Sequence, residues 1–293
     1  MSDSDAFDLD EYLAHIGWEG SGEGERRPDV ETLRGVHLAH LRGIPFENLD
    51  AYRRTAPSLE LPALMAKLVR SRRGGYCYEH NTLLAAALRA LGFGVTLLTA
   101  RVVVGTDRIE SRPRTHMALL VEVPGDARPY LADAGFGAIG GLLEPVPVVV
   151  GGEFEGAGRR HRLVRVEHRG PLEMLSLQAY VETPGDGGEG GGGEGVEGTW
   201  EPQYVFTLEP FEHVDFDVIN WHIATNPRSP FTQRLFVQRL TPDRHLLLHG
   251  RVLTETRADG TVTERELTDE GEARRLLDEE FGIEAPEGMK LLS

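Results

Sequence analysis

The chain has one cysteine, and its surroundings suit a nucleophile. Cys77 lies in Arg73-Gly74-Gly75-Tyr76-Cys77-Tyr78-Glu79-His80-Asn81. Two glycines precede it and an Ala/Leu-rich helical run follows, so the thiol falls at or near a helix N-terminus. Unpaired backbone N–H groups and the helix dipole stabilise a thiolate there, and the thiolate is the reactive form. Arg72 and Arg73 add positive potential. Such a nucleophile needs a base and a group that orients the base. Thr115-His116-Met117-Ala118-Leu119-Leu120-Val121 reads as a strand that opens with His116. Tyr130-Leu131-Ala132-Asp133 reads as a second strand that ends in an acid, although strands deplete Asp. If the two strands pair, His116 and Asp133 become neighbours. Asp133 then fixes the imidazole, and His116 takes the thiol proton. Read locally, the bland alternatives stay open: Cys77 as a small buried hydrophobe and His116 as a structural histidine.

The elements that must position these residues follow from periodicity. Residues 8–92 read as mainly helical. Leu9, Tyr12, Leu13 and Ile16 recur at helical spacing up to Gly17, and Leu33, Val36, His37, Leu38 and Leu41 repeat the pattern. Pro45 interrupts it. Leu61–Val69 is helical again, with Pro62 in the first turn, and Asn81–Leu91 is a helix stopped by Gly92. Beyond Gly92 the period changes to two. Strands are expected at Val95–Val104, Thr115–Val123, Tyr130–Asp133, His161–Glu167, Met174–Ala179 and Tyr204–Leu208. The tail mixes a helix at Phe211–His222, strands at Phe231–Arg239 and His245–Leu253, a hairpin turn at Gly260 and a closing helix at Glu270–Phe281. The expected fold is α+β: a helical N-terminal domain (1–92), an antiparallel β-barrel middle domain (93–209) and an α/β C-terminal lid (210–293). Residues 185–198, GDGGEGGGGEGVEG, read as a flexible excursion between two strands.

Composition narrows the function classes. The 293 residues carry 31 Lys and Arg against 47 Asp and Glu, a net charge of −16. That field repels nucleic acid and anionic membranes, so neither is expected as a partner. An anionic ligand must be held by a local cluster of donors. One cysteine builds no disulfide framework and no thiolate-rich zinc site, and it fits a reducing, cytoplasmic setting. No leader and no membrane-length apolar run is seen. No metal is expected: there is no His-Glu-x-x-His, and His37 and His40 read as a solvated or satisfied helix face. Gly135-Phe136-Gly137-Ala138-Ile139-Gly140 matches a dinucleotide fingerprint, but Pro145 and Pro147 follow where a helix is required. The glycines keep a narrower role, exposing backbone N–H groups to a pyrophosphate.

Five stretches together resemble the arylamine N-acetyltransferase family. They are Ile44-Pro45-Phe46-Glu47-Asn48-Leu49, Arg73-Gly74-Gly75-Tyr76-Cys77-Tyr78-Glu79, Thr115-His116-Met117, Leu131-Ala132-Asp133-Ala134-Gly135-Phe136-Gly137, and Asp215-Phe216-Asp217 through Phe231-Thr232-Gln233. The resemblance implies a Cys77-His116-Asp133 triad in a cysteine-protease-like core. It implies acetyl-CoA as co-substrate and an arylamine or hydrazine acceptor, with ping-pong transfer through acetyl-Cys77. Glu47 and Arg73 then brace the catalytic loop as an ion pair. Phe46, Tyr76, Tyr78 and Phe136 line the acceptor pocket, and Gly135, Gly137, Thr225 and Ser229 contact the coenzyme. The chain departs from the family in the Gly-rich insertion and in Ala224-Thr225-Asn226-Pro227-Arg228-Ser229. The alternatives are an amide synthase of the same fold that closes macrolactams from polyketide thioesters, and a thiol hydrolase or transglutaminase-like enzyme, since the latter folds share the Cys…His…Asp order. A monomer or a homodimer fits equally.

Overall fold

The computed structural model describes residues 7–20, 26–106, 108–182 and 198–292. The first helix, α1 (Leu9–His15), is capped by Asp8, whose carboxylate accepts from the Glu11 N–H at 3.0 Å. It ends at Gly17, where φ is +69° and a side chain would be strained. Asp29 caps α2 (Val30–Gly43) in the same way, through the Thr32 N–H at 2.8 Å. Past Pro45 the chain forms a two-residue strand, β1 (Phe46–Glu47), and a single turn, α3 (Leu49–Tyr52). The helix expected at 61–69 is present as α4 (Leu61–Leu64), running on into a wider π turn over Met65–Val69.

The helix that carries the cysteine is longer than its apolar pattern suggests. It spans α5 (Cys77–Ala90) and begins four residues ahead of the expected Asn81. The polar run Glu79-His80-Asn81 hides the start in the sequence. All three side chains are buried here, because each finds a partner inside the fold.

The middle of the chain forms an eight-stranded antiparallel sheet. Its strands are β2 (Gly94–Val102), β3 (His116–Glu122), β4 (Tyr130–Ala132), β5 (Val146–Pro147), β6 (Glu153–Gly156), β7 (Arg159–Val166), β8 (Met174–Glu182) and β9 (Gly198–Phe206), in spatial order β5-β4-β3-β2-β9-β8-β7-β6. Val150, just past β5, bridges to Leu163 on β7, and the Gly151 N–H donates to the Leu163 carbonyl at 2.8 Å. The chain leaving one edge strand thus reaches β7 near the opposite edge, and the sheet nearly closes into a barrel around Leu98, Leu131, Leu163, Leu177 and Tyr204. A register shift at Leu177/Gln178 faces Pro202, which has no N–H to offer the ladder. Strands β5 and β6 were not expected from the sequence, being too short to show alternation. The Gly-rich excursion lies outside the described residues except for Gly198, which already belongs to β9.

The tail contains α6 (His213–Thr225), α7 (Pro230–Gln233), β10 (Phe236–Leu240), β11 (Arg244–His249), β12 (Val252–Arg257), β13 (Val262–Glu266) and α8 (Glu270–Leu276), which continues as a π turn to Phe281. Two expectations are corrected. The strand expected at Phe231–Arg239 starts only at Phe236, because Pro230 opens a helical turn instead. The strand expected at His245–Leu253 is two strands, folded back at Gly250 with φ +61°. The five-stranded sheet runs β1-β10-β11-β12-β13, so Phe46 and Glu47 extend a sheet made otherwise from the tail. Its core joins Val237, Leu246 and Leu248 to Leu277, Phe281 and Ile283. Helix α6 instead buries Phe216, Ile223 and Ala224 against the helical region. Among the described residues no helix is long and apolar enough to cross a membrane.

Candidate active site

Cys77 is the first residue of α5 and is buried. Two residues of its helix pin α5 to the backbone on either side of His116. The Tyr78 hydroxyl donates to the Thr115 carbonyl at 2.6 Å, and Asn81 Nδ2 donates to the Met117 carbonyl at 2.7 Å. The pairing expected between the two strands is present, with Leu119 opposite Ala132. Carried one residue further, that register sets Asp133 opposite Ala118, diagonal to His116 on the same face. His116 Nε2 and Asp133 Oδ2 are 2.6 Å apart, both buried. The thiol of Cys77 also interacts with the imidazole.

The electrostatics follow from this arrangement. Burial pulls the His116 imidazole down, but the Asp133 charge and hydrogen bond outweigh it, and Cys77 adds to them. The imidazole is pushed up to about 10. Burial acts the other way on Asp133 and is outweighed too. The His116 charge, the Asn81 hydrogen bond and the Gly135 N–H hold its carboxyl below the usual value. The geometry therefore keeps the proton on His116 at neutral pH.

Three supporting residues were not singled out for the site by sequence. Asn81 donates to Asp133 Oδ1 at 2.9 Å and accepts from the Ala134 N–H at 3.0 Å. It stands four residues after Cys77, so helical spacing alone put it on the nucleophile's face. His37 accepts the Asp133 N–H at Nε2 (3.1 Å), and its Nδ1 donates to the Leu143 carbonyl (3.0 Å), which fixes a neutral tautomer. Tyr204 lies ring against ring with His116, centroids 5.2 Å apart, and its buried hydroxyl, near Asp133, has no hydrogen-bond partner among the described residues. No local pattern marks His37 or Tyr204.

The Glu47–Arg73 pair is formed, at 2.7 Å, with the Glu47 carboxylate fully buried. It is one edge of a larger network. Arg73 also reaches Asp50 at 3.2 Å, and Lys67 holds Asp50 at 2.5 Å and Glu79 at 2.6 Å. Burial raises Glu79 to about 7 against the pull of Lys67. Glu79 also accepts the Tyr76 N–H at 3.1 Å, which turns this acid away from the thiol. His40 is buried and satisfied as well, in a chain from the Tyr12 hydroxyl (2.7 Å) through His40 to His80 (2.8 Å) and the Pro45 carbonyl (3.2 Å). Neither His37 nor His40 lies on a solvated face.

The remaining expected residues are divided. Phe136 stands edge-on to His116, centroids 5.3 Å apart. Phe46 stacks beside His80 and meets Phe231 and Phe236. Tyr76 and Tyr78 pack edge to face at 5.3 Å, and the Tyr76 hydroxyl donates to Asn220 on α6. Gly135 is corrected: its N–H donates to Asp133 Oδ1 at 3.0 Å and is not free for a pyrophosphate. Its missing side chain is what matters, since a Cβ there would lie 2.6 Å from Cys77 Cα. Gly137 sits against Phe46 and Phe236. The Thr225 hydroxyl donates to the Trp221 carbonyl at 2.6 Å, while the Ser229 hydroxyl is buried with no partner among the described residues. Among the described residues no group of three His, Cys, Asp or Glu could hold a metal ion.

Comparison with known proteins agrees with this geometry. The profile of the N-acetyltransferase family matches residues 29–289. An arylamine N-acetyltransferase of Mycolicibacterium smegmatis is 39% identical over 264 residues, covering 87% of this chain and 85% of that protein. The solved structure of the Nocardia farcinica arylamine N-acetyltransferase superposes with a TM-score of 0.82 at 41% identity, covering 96% of this chain and 90% of that one. The Mycobacterium marinum arylamine N-acetyltransferase, solved in complex with CoA, superposes with a TM-score of 0.81 at 33% identity, covering 94% of this chain and 93% of that one. With the fold and the motif-bearing segments matched along nearly the whole length, the chain belongs to the arylamine N-acetyltransferase family of acetyltransferase enzymes.

Proposed function

We propose that this chain transfers the acetyl group of acetyl-CoA to an arylamine or hydrazine through an acetyl-Cys77 intermediate. The observation that carries this reading is the Cys77–His116–Asp133 line, with the imidazole clamped at 2.6 Å by a buried carboxylate. His116 already holds the proton taken from Cys77, and the thiolate so formed attacks the thioester carbonyl. The N–H groups of the first turn of α5 face the developing oxyanion. The C–S bond to coenzyme A breaks, and CoA leaves with the proton returned by His116. The amine then attacks acetyl-Cys77, His116 removes its proton, and the amide departs as the thiol is restored. Asp133 stays ionised and holds the ring in place, with Asn81 and His37 fixing Asp133.

Phe136 lines the acceptor pocket beside His116, with Phe46, Tyr76 and Tyr78 as its apolar support. Gly137, Thr225 and Ser229 contact the coenzyme, the unpartnered Ser229 hydroxyl being the strongest support among them. In this reading the helical region 1–92 brings the nucleophile, 93–209 the base and its orienter, and 210–293 the cover that excludes water from the acetyl-enzyme. The reaction runs in the cytoplasm, where a lone thiol stays reduced.

Mixing the enzyme with acetyl-CoA alone tests this directly. One equivalent of CoA is expected in a burst, with one acetyl group on Cys77 by intact mass, discharged on adding an arylamine. Cys77→Ala loses the burst and about 10³-fold or more of the turnover. No burst, an unmodified Cys77 and intersecting double-reciprocal lines would overturn the reading in favour of direct transfer in a ternary complex.

A further inference from the structure

A cleft of about 230 Å³ opens where the barrel meets the tail sheet, and none of Cys77, His116 or Asp133 lines it. Its basic side chains are Arg159, Arg160, His161, Arg244 and Arg257, drawn from β7, β11 and β12. In a chain of net charge −16 this concentration of cations is the exception. Three of the guanidiniums are partly compensated: Arg160 by Glu153 at 2.8 Å, Arg244 by Glu280 at 3.1 Å and Arg257 by Glu255 at 3.0 Å. Arg160 also lies over the Tyr180 ring, 4.2 Å from its centroid.

Arg159 is different. It is half-buried and has no ion-pair partner among the described residues. The titratable groups that face it are His161 and His245, both buried; burial, and then the Arg159 charge, press both imidazoles down. Each imidazole is engaged elsewhere through Nε2, with the Gly140 carbonyl at 3.1 Å and Gln238 Oε1 at 2.8 Å. Burial without compensation lowers the guanidinium to about 10. A desolvated cation among basic neighbours is costly unless an anion joins it. The planar fork of arginine matches phosphate oxygens, and the protein's overall field repels anions, so only such a local cluster can hold one.

We propose that this cleft is a phosphate-binding site centred on Arg159, with Arg160, Arg244 and Arg257 at its rim, taking a small molecule that carries one or two phosphate groups. Two sources share that chemistry. One is the nucleotide end of the acyl donor, which rests on the acetyl-CoA reading. The cleft includes Ile139 and Gly140, on the loop that leaves Asp133. Six residues of extended chain reach at most about 20 Å, and a coenzyme thioester has its phosphates at the far end of a long arm. The other source is a free phosphorylated metabolite that binds independently of the donor.

The test uses pyrophosphate as probe on the full-length protein, by calorimetry at low ionic strength. Saturable binding at one site is expected, weakened at least tenfold in Arg159→Met, with the thermal midpoint unchanged or raised because no ion pair is lost. Arg244→Met serves as the second variant, with at least a threefold loss. If pyrophosphate competes with acetyl-CoA and Arg159→Met raises the donor KM but not the KM for a dephosphorylated donor, the site holds the donor's phosphates. If donor KM is unaffected by either, the ligand is a separate phosphorylated molecule. Absence of saturable pyrophosphate binding, or equal binding by wild type and both variants, overturns the site. The binding readout needs no acetyl transfer, so its failure leaves acetyl-Cys77 untouched, and failure of the CoA burst leaves this cleft untouched.

Discussion

At the scale of single residues, the arrangement concentrates its demands on Asp133 and Gly135. Asp133 accepts from His116, Asn81 and the Gly135 N–H at once, so an amide of the same size must turn a donor toward a donor. Asp133→Asn is expected to lower transfer by about 10³-fold to 10⁴-fold. The rate of Cys77 alkylation by iodoacetamide near neutral pH is expected to fall with it. Alkylation kinetics equal to wild type would show that Asp133 does not tune the pair. Gly135 makes the second demand. A methyl group there would meet Cys77 Cα at 2.6 Å, the Cys77 carbonyl at 2.9 Å and Asn81 Nδ2 at 2.9 Å, and two of these are backbone atoms that cannot step aside. Gly135→Ala is expected to cost about 1–3 kcal/mol in urea unfolding and to lose transfer out of proportion to that cost, because the strain falls on the nucleophile itself. Full activity with an unshifted midpoint would contradict the close approach.

At the scale of elements, the buried charge network is the joint between the nucleophile's helix and its surroundings. Arg73 precedes α5, Glu47 lies on β1, Asp50 on α3, Lys67 on the π turn after α4, and Glu79 on α5 itself. Each cation bridges two acids, and removal of Arg73 strands the Glu47 carboxylate, which water does not reach, while Asp50 keeps Lys67. Arg73→Met is expected to destabilise by about 3–5 kcal/mol, well above the 0–1 typical of surface pairs. Pairing it with Glu47→Gln should recover part of the loss, since the stranded charge is then gone. A loss under about 1 kcal/mol for Arg73→Met would mean the network is effectively solvated. The same elements explain why the tail is not an independent unit. Its sheet takes β1 from the helical half, and α6 anchors Asn220 between the Tyr76 hydroxyl and the Pro57 carbonyl.

At the scale of the whole molecule, pH should act through buried histidines. Burial holds His80, His161 and His245 at about 4, against an ordinary value near 6.5. Between pH 6.5 and 4 the unfolded chain therefore binds three protons there that the folded chain refuses. Stability rises with pH wherever the unfolded state binds more protons, so acidification through this window destabilises. Glu79 works in the opposite direction: raised to about 7, it takes a proton in the folded state between 7 and 4.5 that the unfolded chain lacks. His116, raised to about 10, contributes fully below 6.5 and does not change in the window. His37 and His40, lowered by burial as well, act in the same direction, so the slope at its steepest is at least the roughly 3 kcal/mol per pH unit that a difference of two protons gives. Urea midpoints measured from pH 7 to 4.5 should fall accordingly, and a flat profile would show these imidazoles are reached by water.

The sequence by itself pointed to Cys77, His116 and Asp133 as candidate nucleophile, base and orienter, the roles proposed for them above. Cys77 sits at a helix start, and His116 and Asp133 open and close strands that pair, and those relations are local enough for spacing to show them. Asn81 was not singled out, although its place one helical turn on from Cys77 was a signal that could have found it. The helix-strand-mixed order of the chain was likewise readable, because a change of period from 3.6 to 2 needs no knowledge of partners. What only the tertiary structure decided is which distant groups converge. His37 reaches the Asp133 backbone from 96 residues away, and Tyr204 on β9 packs its ring against His116. Lys67 and Asp50 join the Glu47–Arg73 pair, and Arg159 meets Arg244 only because two sheets abut. Polar residues of this kind carry no periodic signal. A buried charge and a solvated one look alike in a sequence, and only the packing that removes water distinguishes them.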